Sequence, residues 1–367
     1  MLSITGTMTG TITVNSRTGR STIREVASAA GVSTQTVSRV INERPDVSPE
    51  TRRRVQNVID RLGYRPSALA RSLISQRSYT LGVVTAGLRH IGPARTLSGI
   101  TAAAADAGYA LLLEELPRYD MDDPTPIFEA LLSRHVDGII WAVPEVGANR
   151  SWTTQLREEP RIPMVYLAME PRQSISVVSV NNYLGGRLAM AHLMEQGYKA
   201  IGHIAGPLDW WEARQRLAAW KDALQEAGLK ACEKCWAEGN WSSASGAEAA
   251  DKLLRQFPDL DAIFAANDQM ALSVLHIAPS HGRSVPRDLG VIGFDNMSES
   301  AFFRPTLTTI QQDHHNVGKV AVEEITRIIE SGWQDMEPIE PKSIMLSPTL
   351  IVRQSTGRLT ASDEGGD

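Results

Sequence analysis

Residues 22–73 constrain the fold of this chain more than any other stretch of its sequence. Thr22 and Glu25 stand three positions apart, the spacing at which each side chain can bond the other's backbone N–H, so a helix is predicted to start at Thr22. Apolar residues then recur every three or four positions, and Gly31 predicts the end of the helix. The first predicted helix is therefore short and amphipathic.

Two more helices are predicted in the same stretch. Ser33 can cap the second helix. Ser48 followed by Pro49 is the order that helix starts favour, and Gly63 predicts the end of the third helix. Three short helices with a glycine-containing turn between the first two form a helix-turn-helix unit. A small helical bundle with a solvated basic surface is the alternative interpretation.

The outward face of the second helix has side chains that can read the base edges of DNA. Arginine can donate paired hydrogen bonds to guanine, and glutamine can pair in the same way with adenine. Serine and threonine hydroxyls bind phosphates or base edges. The outward residues are Thr34, Gln35, Ser38 and Arg39. Residues 21–77 hold ten arginines against five acidic residues while the whole chain has a net charge of −5, so positive charge is concentrated here.

Residues 22–73 resemble, without a gap, the headpiece of the LacI/GalR family of bacterial transcription regulators. Their sequence is TIREVASAAGVSTQTVSRVINERPDVSPETRRRVQNVIDRLGYRPSALARSL. The resemblance implies a homodimer whose two recognition helices enter successive major grooves of a near-palindromic operator in double-stranded DNA. The predicted DNA-binding residues are Thr22, Ser33, Thr34, Gln35, Thr36, Ser38, Arg39, Asn42, Tyr64, Ala70 and Leu73.

Residues 67–78 are predicted to form a hinge after the headpiece, which comprises residues 21–66. In the family this hinge becomes helical on operator DNA, and the resemblance places Leu73, with Ala70 beside it, where a leucine wedges into the central base step. Such a wedge unstacks the step from the minor groove and kinks the duplex, which lets more of the protein contact DNA. The alternative is that Leu69 and Leu73 only pack in a linker helix.

From Thr80 onward, short apolar runs such as LGVV, DGIIWAV and LGVIGFD alternate with amphipathic segments. This alternation predicts βαβ units, and hence an α/β fold of doubly wound parallel sheets. The length of the region, residues 79–352, favours two similar lobes with a cleft between them. The predicted N-terminal lobe comprises about residues 79–178 and 310–338, and the predicted C-terminal lobe about residues 179–309 and 339–352. Flexible tails are predicted at residues 1–20 and 353–367.

The family resemblance continues into this core and is strong over residues 181–313, in stretches such as NNYLGGRLAMAHL, GNWSSASG and AIFAANDQMAL. These resemble the family's sugar-sensing core, which is itself like periplasmic sugar-binding proteins. Ligands of such folds bind at the carboxyl ends of the strands. Sugar sites combine polar side chains for hydroxyl groups with aromatic rings for the C–H face. The predicted ligand-binding residues are Pro93, Trp141, Glu145, Arg216, Trp241, Asn267, Asp295 and Gln312.

Several positions depart from the family's pattern or allow a purely structural role. Ala168 lies near where some members carry an aspartate for the sugar, Glu212 stands where they carry a small hydroxyl residue, and His314 replaces an aromatic residue. These departures leave the identity of the sugar open. Trp241 can instead pack in the core, and Asp268 can cap a helix rather than bind ligand.

Other classes of protein lack support in the sequence. No apolar run is long enough to span a bilayer, and residues 1–20 have no apolar signal core. Cys232 and Cys235 in a chain without an export signal are typical of the cytoplasm, and a single CEKC motif without a second pair predicts no zinc site. We expect no catalytic activity, metal or cofactor, because nucleophile-elbow, phosphate-loop and HExxH motifs are absent. The polar C-terminus lacks a leucine heptad, so a dimer is expected rather than a tetramer.

The sequence therefore predicts a DNA-binding transcription regulator that responds to a small-molecule effector. The function that the resemblance favours is repression of carbohydrate catabolism genes, relieved by a sugar. One alternative is a repressor that needs a purine corepressor. The other, from a different class, is a two-lobed solute-binding protein for transport, against which the headpiece argues.

Replacement of Arg39 by alanine tests the predicted base reading. We expect Arg39→Ala to cost about 1–3 kcal/mol on the operator and to relax the base preference at one position, because a paired contact to guanine is lost. Binding titrations on operator variants and on random DNA measure both effects. An equal loss on operator and random DNA would contradict base reading by this side chain.

Overall fold

The computed structural model describes residues 21–41, 44–64, 77–151, 162–229, 235–333 and 340–357. The chain divides into two units, Met1–Ser78 and Tyr79–Asp367, each with a hydrophobic core of its own. Several predictions concern positions outside the described residues: Asn42, Ala70, Leu73, Cys232 and the tail at residues 1–20.

The first unit contains the helices α1 (Ile23–Ala30), α2 (Thr34–Ile41) and α3 (Pro49–Leu62). Side-chain caps confirm all three predicted helix starts. The Thr22 hydroxyl accepts a hydrogen bond from Glu25 N at 3.3 Å, while the Glu25 carboxylate accepts one from Thr22 N at 2.7 Å. The hydroxyls of Ser33 and Ser48 each accept from the backbone N–H three residues later, at 3.0 and 3.3 Å.

One apolar core holds the three helices together. Its buried members are Val26, Ala27, Ala30, Val37, Val40, Val55 and Val58. Arg52 of α3 reinforces the packing, because its Nη2 donates to the Arg44 carbonyl at 2.5 Å and its Nη1 to the Val40 carbonyl at 3.4 Å. The helix-turn-helix unit is thus confirmed, with one face of α2 in the core and the other exposed.

The second unit alternates strands with helices. Its strands are β1 (Thr80–Ala86), β2 (Ala110–Leu116), β3 (Gly138–Ala142), β4 (Met164–Leu167), β5 (Val177–Val180), β6 (Ile201–Ala205), β7 (Trp236–Glu238), β8 (Ala262–Ala265), β9 (Gly290–Phe294), β10 (Thr308–Gln311), β11 (Ser343–Leu346) and β12 (Thr349–Ile351). Its helices are α4 (Ile91–Asp106), α5 (Thr125–Leu132), α6 (Asn182–Glu195), α7 (Trp211–Glu226), α8 (Ser243–Gln256), α9 (Asp268–Ile277) and α10 (His314–Trp333).

These strands form two six-stranded sheets, one in each lobe. The N-terminal sheet has the order β11-β5-β4-β3-β1-β2, with every neighbouring pair parallel. The C-terminal sheet has the order β12-β10-β9-β8-β6-β7 and is parallel except between β10 and β12. The central strands β4, β8 and β9 are apolar and fully buried because separate clusters of side chains cover the two faces of each sheet. The doubly wound α/β prediction is confirmed.

The chain crosses between the lobes at places that differ from the predicted boundaries. Strand β10 pairs with β9 and lies in the C-terminal sheet, whereas the prediction moved the chain to the N-terminal lobe at residue 310. Strand β11 pairs with β5 and lies in the N-terminal sheet, although residues 339–352 were predicted in the C-terminal lobe. Apolar patterns identify strands but not the sheet they join, because that depends on distant backbone partners.

The predicted tail at residues 353–367 is ordered at its start. A 3₁₀ turn at Gln354–Thr356 packs against the C-terminal sheet, where the Ser355 and Thr356 side chains are buried. The Ser355 hydroxyl donates to the Val291 carbonyl at 2.6 Å and accepts from Thr308 N at 2.8 Å. The tail prediction is therefore wrong for residues 353–357, and residues 358–367 lie outside the described residues.

Helices α4 and α10 of the N-terminal lobe cross with their backbones in contact. A Cβ on Gly318 of α10 would lie 2.2 Å from the Thr96 carbonyl oxygen, and a Cβ on Gly99 of α4 would lie 2.0 Å from the His315 carbonyl oxygen. This close crossing fixes the start of α10 beside the start of α4. Within the described ranges, each helix is too short or too polar to span a membrane.

Gly318→Ala tests the contact between these helices. The added methyl group meets backbone atoms that cannot move independently, so we expect a loss of about 1–3 kcal/mol in the free energy of unfolding. Gly332→Ala is the matched control in the same helix, because a Cβ there meets nothing within 4 Å. We expect the control to be neutral or more stable by about 0.5–1 kcal/mol. Equal urea midpoints for the two variants would contradict the close crossing.

Candidate functional site

The candidate DNA-binding surface is the exposed face of α2. Thr34, Gln35 and Arg39 are exposed, and Ser38 is half-buried. Arg39 Nη1 lies 3.2 Å from Asp46 Oδ2, with both side chains about half exposed. Exposed ion pairs stabilise little, so the guanidinium can exchange this carboxylate for a base edge or a phosphate at low cost.

Other residues predicted to bind DNA also support the headpiece itself. Thr22 caps α1, and the hydroxyls of Ser33 and Thr36 lie 2.9 Å apart at the start of α2. Tyr64 packs, partly buried, against the headpiece core. These contacts account for the side chains without DNA, so their DNA-binding roles stay predictions.

In the second unit, a cleft separates the two lobes at the carboxyl ends of their strands. We call it the interlobe cleft; its empty space is about 1040 Å³, part of it open to solvent. Residues from both lobes line it, which is the position predicted from the doubly wound topology. The predicted ligand-binding residues that line the interlobe cleft are Pro93, Arg216, Trp241, Asn267, Asp295 and Gln312.

Arg216 of α7 is a buried cation in the interlobe cleft, with 4% of the residue exposed. Its Nε and Nη2 donate to Asn182 Oδ1 at 2.9 and 2.7 Å, and its Nη1 donates to the Ala266 carbonyl. The guanidinium also lies 3.8 Å from the centroid of the Phe294 ring. All three of its nitrogen atoms thus have partners within the C-terminal lobe.

Asp295 and Gln312 lie against each other in the interlobe cleft. Gln312 Nε2 donates to Asp295 Oδ1 at 2.5 Å. Asp295 follows β9 with a φ of 108°, which strains a residue that has a side chain. A hydrogen bond of 2.7 Å from Asp295 N to the Ile310 carbonyl holds this backbone in place. A strained backbone persists only where the surrounding structure stabilises it, and such residues cluster at ligand sites.

Asn267 and Asp268 have different roles at the start of α9. Asn267 caps the helix, and its Nδ2 donates to the Trp241 carbonyl at 2.9 Å. The Asp268 carboxylate is fully buried and accepts hydrogen bonds from the Ser300 and Thr309 hydroxyls, both at 2.6 Å. Asp268 is therefore neither the cap nor a cleft residue; it fixes the segment after β9.

Aromatic rings run across the interlobe cleft from one lobe to the other. The ring of Tyr119, in the N-terminal lobe, meets the edge of Trp210, in the C-terminal lobe, with centroids 4.9 Å apart, and Trp210 meets Trp241 at 5.8 Å. Trp241 also packs against the core of the C-terminal lobe, which confirms the core role, while its ligand-binding role stays a prediction. A Cβ on Gly206 would lie 2.1 Å from the Trp241 ring, so only glycine leaves room for the indole.

Three buried polar atoms of the interlobe cleft have no hydrogen-bond partner in the described chain. They are Tyr119 Oη, Glu212 Oε2 and Trp241 Nε1. A buried polar atom left unpaired costs about 1–3 kcal/mol, and most such atoms in folded proteins are paired. Two donors and one acceptor in a shared aromatic cleft fit a ligand with several hydroxyl groups.

Two residues predicted to bind ligand lie elsewhere. Trp141 is fully buried in the N-terminal lobe, with its ring centroid 5.5 Å from that of Phe128. Glu145 is 3% exposed, forms an ion pair with Arg172 and accepts from Glu170 N at 3.2 Å. A position just after a strand predicts that a residue lies at the carboxyl edge of the sheet. It does not predict which face of the sheet, or which loop, the side chain contacts.

Several residues that line the interlobe cleft are not among those predicted from the sequence. Trp210 lines the cleft, whereas its neighbour Trp211 is buried. Two adjacent tryptophans after a strand were the sequence feature that could have indicated one of them. Tyr119 lies between β2 and α5, where the family resemblance is weak, and no pattern marked it. Asn182 opens α6 and is fixed by Arg216 from across the lobe.

Direct contacts between the lobes flank the interlobe cleft. The Asp209 carboxylate accepts from Gly147 N at 2.7 Å and from Arg150 Nη2 at 3.0 Å. Arg95 of α4 donates to the Asn296 carbonyl at 3.4 Å. These contacts and the Tyr119–Trp210 pair make the relative position of the lobes depend on a few polar and aromatic groups.

Burial shifts the titration of the acidic and imidazole groups in the interlobe cleft. Burial raises the pKa of Asp295 to about 7, although the Arg216 charge opposes the shift. Burial also raises the pKa of Glu212. For His314, burial and the nearby positive charges of Arg216 and Arg95 lower the pKa to about 4, so this imidazole is neutral at pH 7.

Both units of the chain match models of known protein families. A family model described as bacterial regulatory proteins, lacI family, matches residues 22–67, and a model of periplasmic binding protein-like domains matches residues 190–356. The catabolite control protein A of Priestia megaterium is 34% identical over 337 residues, which cover 91% of this chain and 99% of that protein.

Two solved structures extend the likeness along most of the chain. A complex of the transcriptional regulator CelR with cellobiose is 31% identical with a TM-score of 0.68, covering 92% of this chain and 100% of CelR. A lac repressor dimer bound to operator and the anti-inducer ONPF is 28% identical with a TM-score of 0.80, covering 92% of this chain and 99% of the repressor. Each similarity spans both units.

The raised pKa of Asp295 predicts a pH dependence of stability. Its pKa is about 7 in the folded protein and about 3.9 in an unfolded chain, so between these values the folded state binds the extra proton. This group's contribution to the free energy of unfolding is present below about pH 4 and lost as the pH rises through 7. We expect the thermal midpoint to fall more between pH 5 and pH 8 in the wild type than in Asp295→Asn. Parallel curves would contradict the burial of this carboxylate.

Proposed function

The chain belongs to the lacI family of bacterial regulatory proteins, and we propose that it represses carbohydrate catabolism genes until a sugar binds in the interlobe cleft. The observation that carries the choice of ligand is the set of three unpaired polar atoms, on Tyr119, Glu212 and Trp241, within one aromatic cleft. A sugar supplies hydroxyl groups for all three atoms and a C–H face for the rings.

The aromatic rings support a sugar over a ligand that is polar on every side. Trp210 and Trp241 line the same part of the cleft, with Tyr119 against Trp210 from the other lobe. Asp295 and Gln312 add further groups that can bond a pair of hydroxyls. The CelR–cellobiose complex is a relative with a sugar as its ligand, which agrees with this choice.

On the DNA side, we propose a homodimer that places two copies of α2 in successive major grooves of a near-palindromic operator. The exposed Gln35 and Arg39 would read base edges, and the arginine-rich surface would bind phosphates. The lac repressor structure, a dimer on operator DNA, supports this arrangement.

Ligand control follows from the position of the cleft between two lobes. A sugar that contacts Tyr119 on one lobe and Trp241 on the other binds best to one relative position of the lobes. If DNA binding prefers a different position, each ligand weakens the binding of the other. Couplings of this kind amount to about 1–3 kcal/mol, or roughly 5–150-fold in affinity.

Tyr119→Phe is a sharper test than removal of Arg216. Loss of Arg216 would also break its contacts to Asn182 and Ala266, whereas Tyr119→Phe removes a hydroxyl that has no partner in the described chain. We expect the variant to fold and to bind operator normally, while its sugar affinity falls by about 1 kcal/mol, roughly fivefold. Thermal-shift titrations against pentoses, hexoses, disaccharides and purines, followed by operator binding with and without the hit, measure these quantities.

The control for this test is Tyr183→Phe, whose hydroxyl bonds Asp222 at 2.9 Å away from the cleft. It should keep the wild-type response to sugar. A hit only among purines would replace the sugar with a corepressor as the effector. A ligand that binds the core without changing operator affinity would contradict ligand control, and a wild-type protein that binds no operator would favour the transport class.

A further inference from the structure

We propose that Glu212 determines which sugars enter the interlobe cleft: it admits neutral and amino-substituted sugars and excludes those with a carboxylate or phosphate. This inference rests on the proposed sugar-binding function and adds the chemical class of the sugar. Glu212 is the second residue of α7, and its side chain lines the cleft with Oε2 buried and unpaired.

An unpaired carboxylate oxygen in this position requires a hydrogen-bond donor from the ligand. A buried carboxylate is an acceptor only, and its desolvation is offset when hydroxyl or ammonium groups donate to it. Burial raises the pKa of Glu212, but its own backbone N–H and the charges of Arg216 and Arg214 oppose that rise, and the start of α7 adds a partial positive charge. A sugar hydroxyl or amino group therefore binds here, whereas a second anion meets a like charge.

The nearest positive charges, on Arg216 and Arg214, favour the ionised form of Glu212, and both side chains already donate hydrogen bonds to protein groups. Among the described residues that line the cleft, two carboxylates, Glu212 and Asp295, accompany a single cationic side chain, Arg216. The Arg216 nitrogen atoms already donate to Asn182 and Ala266. Nearby Arg214 directs its Nη1 to the backbone carbonyls of residues 208 and 209, at 3.1 and 3.0 Å.

The carboxylate of Glu145 adds a further negative charge near Glu212. Its buried carboxylate lies close enough to Glu212 to oppose the ionisation of that group, although its own ion pair with Arg172 limits the effect. Like charges brought together in a binding site weaken binding. These carboxylates therefore distinguish sugars by their charge, whereas the aromatic rings can pack against neutral and charged sugars alike.

Glucose and glucuronate are matched probes, because they differ by a carboxylate in place of a hydroxymethyl group. The panel of probes is glucose, cellobiose, glucosamine, glucuronate and glucose 6-phosphate, titrated by calorimetry into the full-length protein. We expect the wild type to bind one or more of the first three and neither anionic probe. In Glu212→Gln, the ratio of neutral to anionic affinity should fall at least about tenfold, because the repulsion is gone while an acceptor remains.

Glu226→Gln is the control, since it removes the same charge from the exposed side of α7, where Glu226 pairs with Arg187. It should keep the wild-type ratio. Anionic probes that bind the wild type as tightly as neutral ones, or an unchanged ratio in Glu212→Gln, would overturn the assignment and leave the sugar proposal standing. A wild-type protein that binds none of the five probes and no sugar of the thermal-shift panel would overturn both.

The thermal stability of the ligand-free protein tests the role of Glu212 independently of whether a sugar binds. Burial disfavours the charge of Glu212 in the ligand-free core, so Glu212→Gln, which removes that charge, should raise the thermal midpoint by about 2–4 °C. Glu226→Gln should leave the midpoint unchanged or lower it slightly, because it removes an exposed ion pair. No increase for Glu212→Gln would mean that Glu212 carries no uncompensated buried charge, and the selectivity assignment would fail.

Discussion

The interlobe cleft depends on one buried guanidinium. Arg216 links the start of α6, through Asn182, to the end of β8, through Ala266, and lies against the ring of Phe294. A charge buried this deeply is stable only with hydrogen bonds and opposite charges around it. Asp295 supplies part of that charge, and the Arg216 charge in turn limits the rise of the Asp295 pKa. The polar side of the cleft is thus one connected unit.

The aromatic side of the cleft depends on close backbone approach instead. Gly206 leaves room for the Trp241 ring, and the contact between α4 and α10 through Gly99 and Gly318 brings the N-terminal lobe's helix starts to the cleft. Tyr119 then reaches Trp210 across the gap between the lobes. Both lobes therefore share the ligand-facing surface, which makes their relative position sensitive to what is bound and gives a regulator its means of control.

Sequence reasoning succeeded where the constraint was local or where a motif covered it. The caps at Thr22, Ser33 and Ser48 and the apolar periodicity of the headpiece define its three helices, because those interactions act within a few residues. It assigned Trp141 and Glu145 to the cleft and missed Tyr119. A strand-end position says which edge of the sheet a residue occupies, while rotation of the side chain and the path of the next loop decide what it contacts.

The sequence by itself determined the two kinds of unit, the parallel sheets and several of the polar groups that line the cleft, among them Arg216, Asn267 and Asp295. Only the tertiary structure decided that β10 joins the C-terminal sheet and β11 the N-terminal sheet. It also decided that the Arg216 nitrogen atoms are bound within the C-terminal lobe, and that Tyr119, Glu212 and Trp241 each have an unpaired polar atom. The physical reason is range. Capping and periodicity are encoded between near neighbours, whereas pairing, burial and charge compensation are set by residues far apart in the chain that only folding brings together.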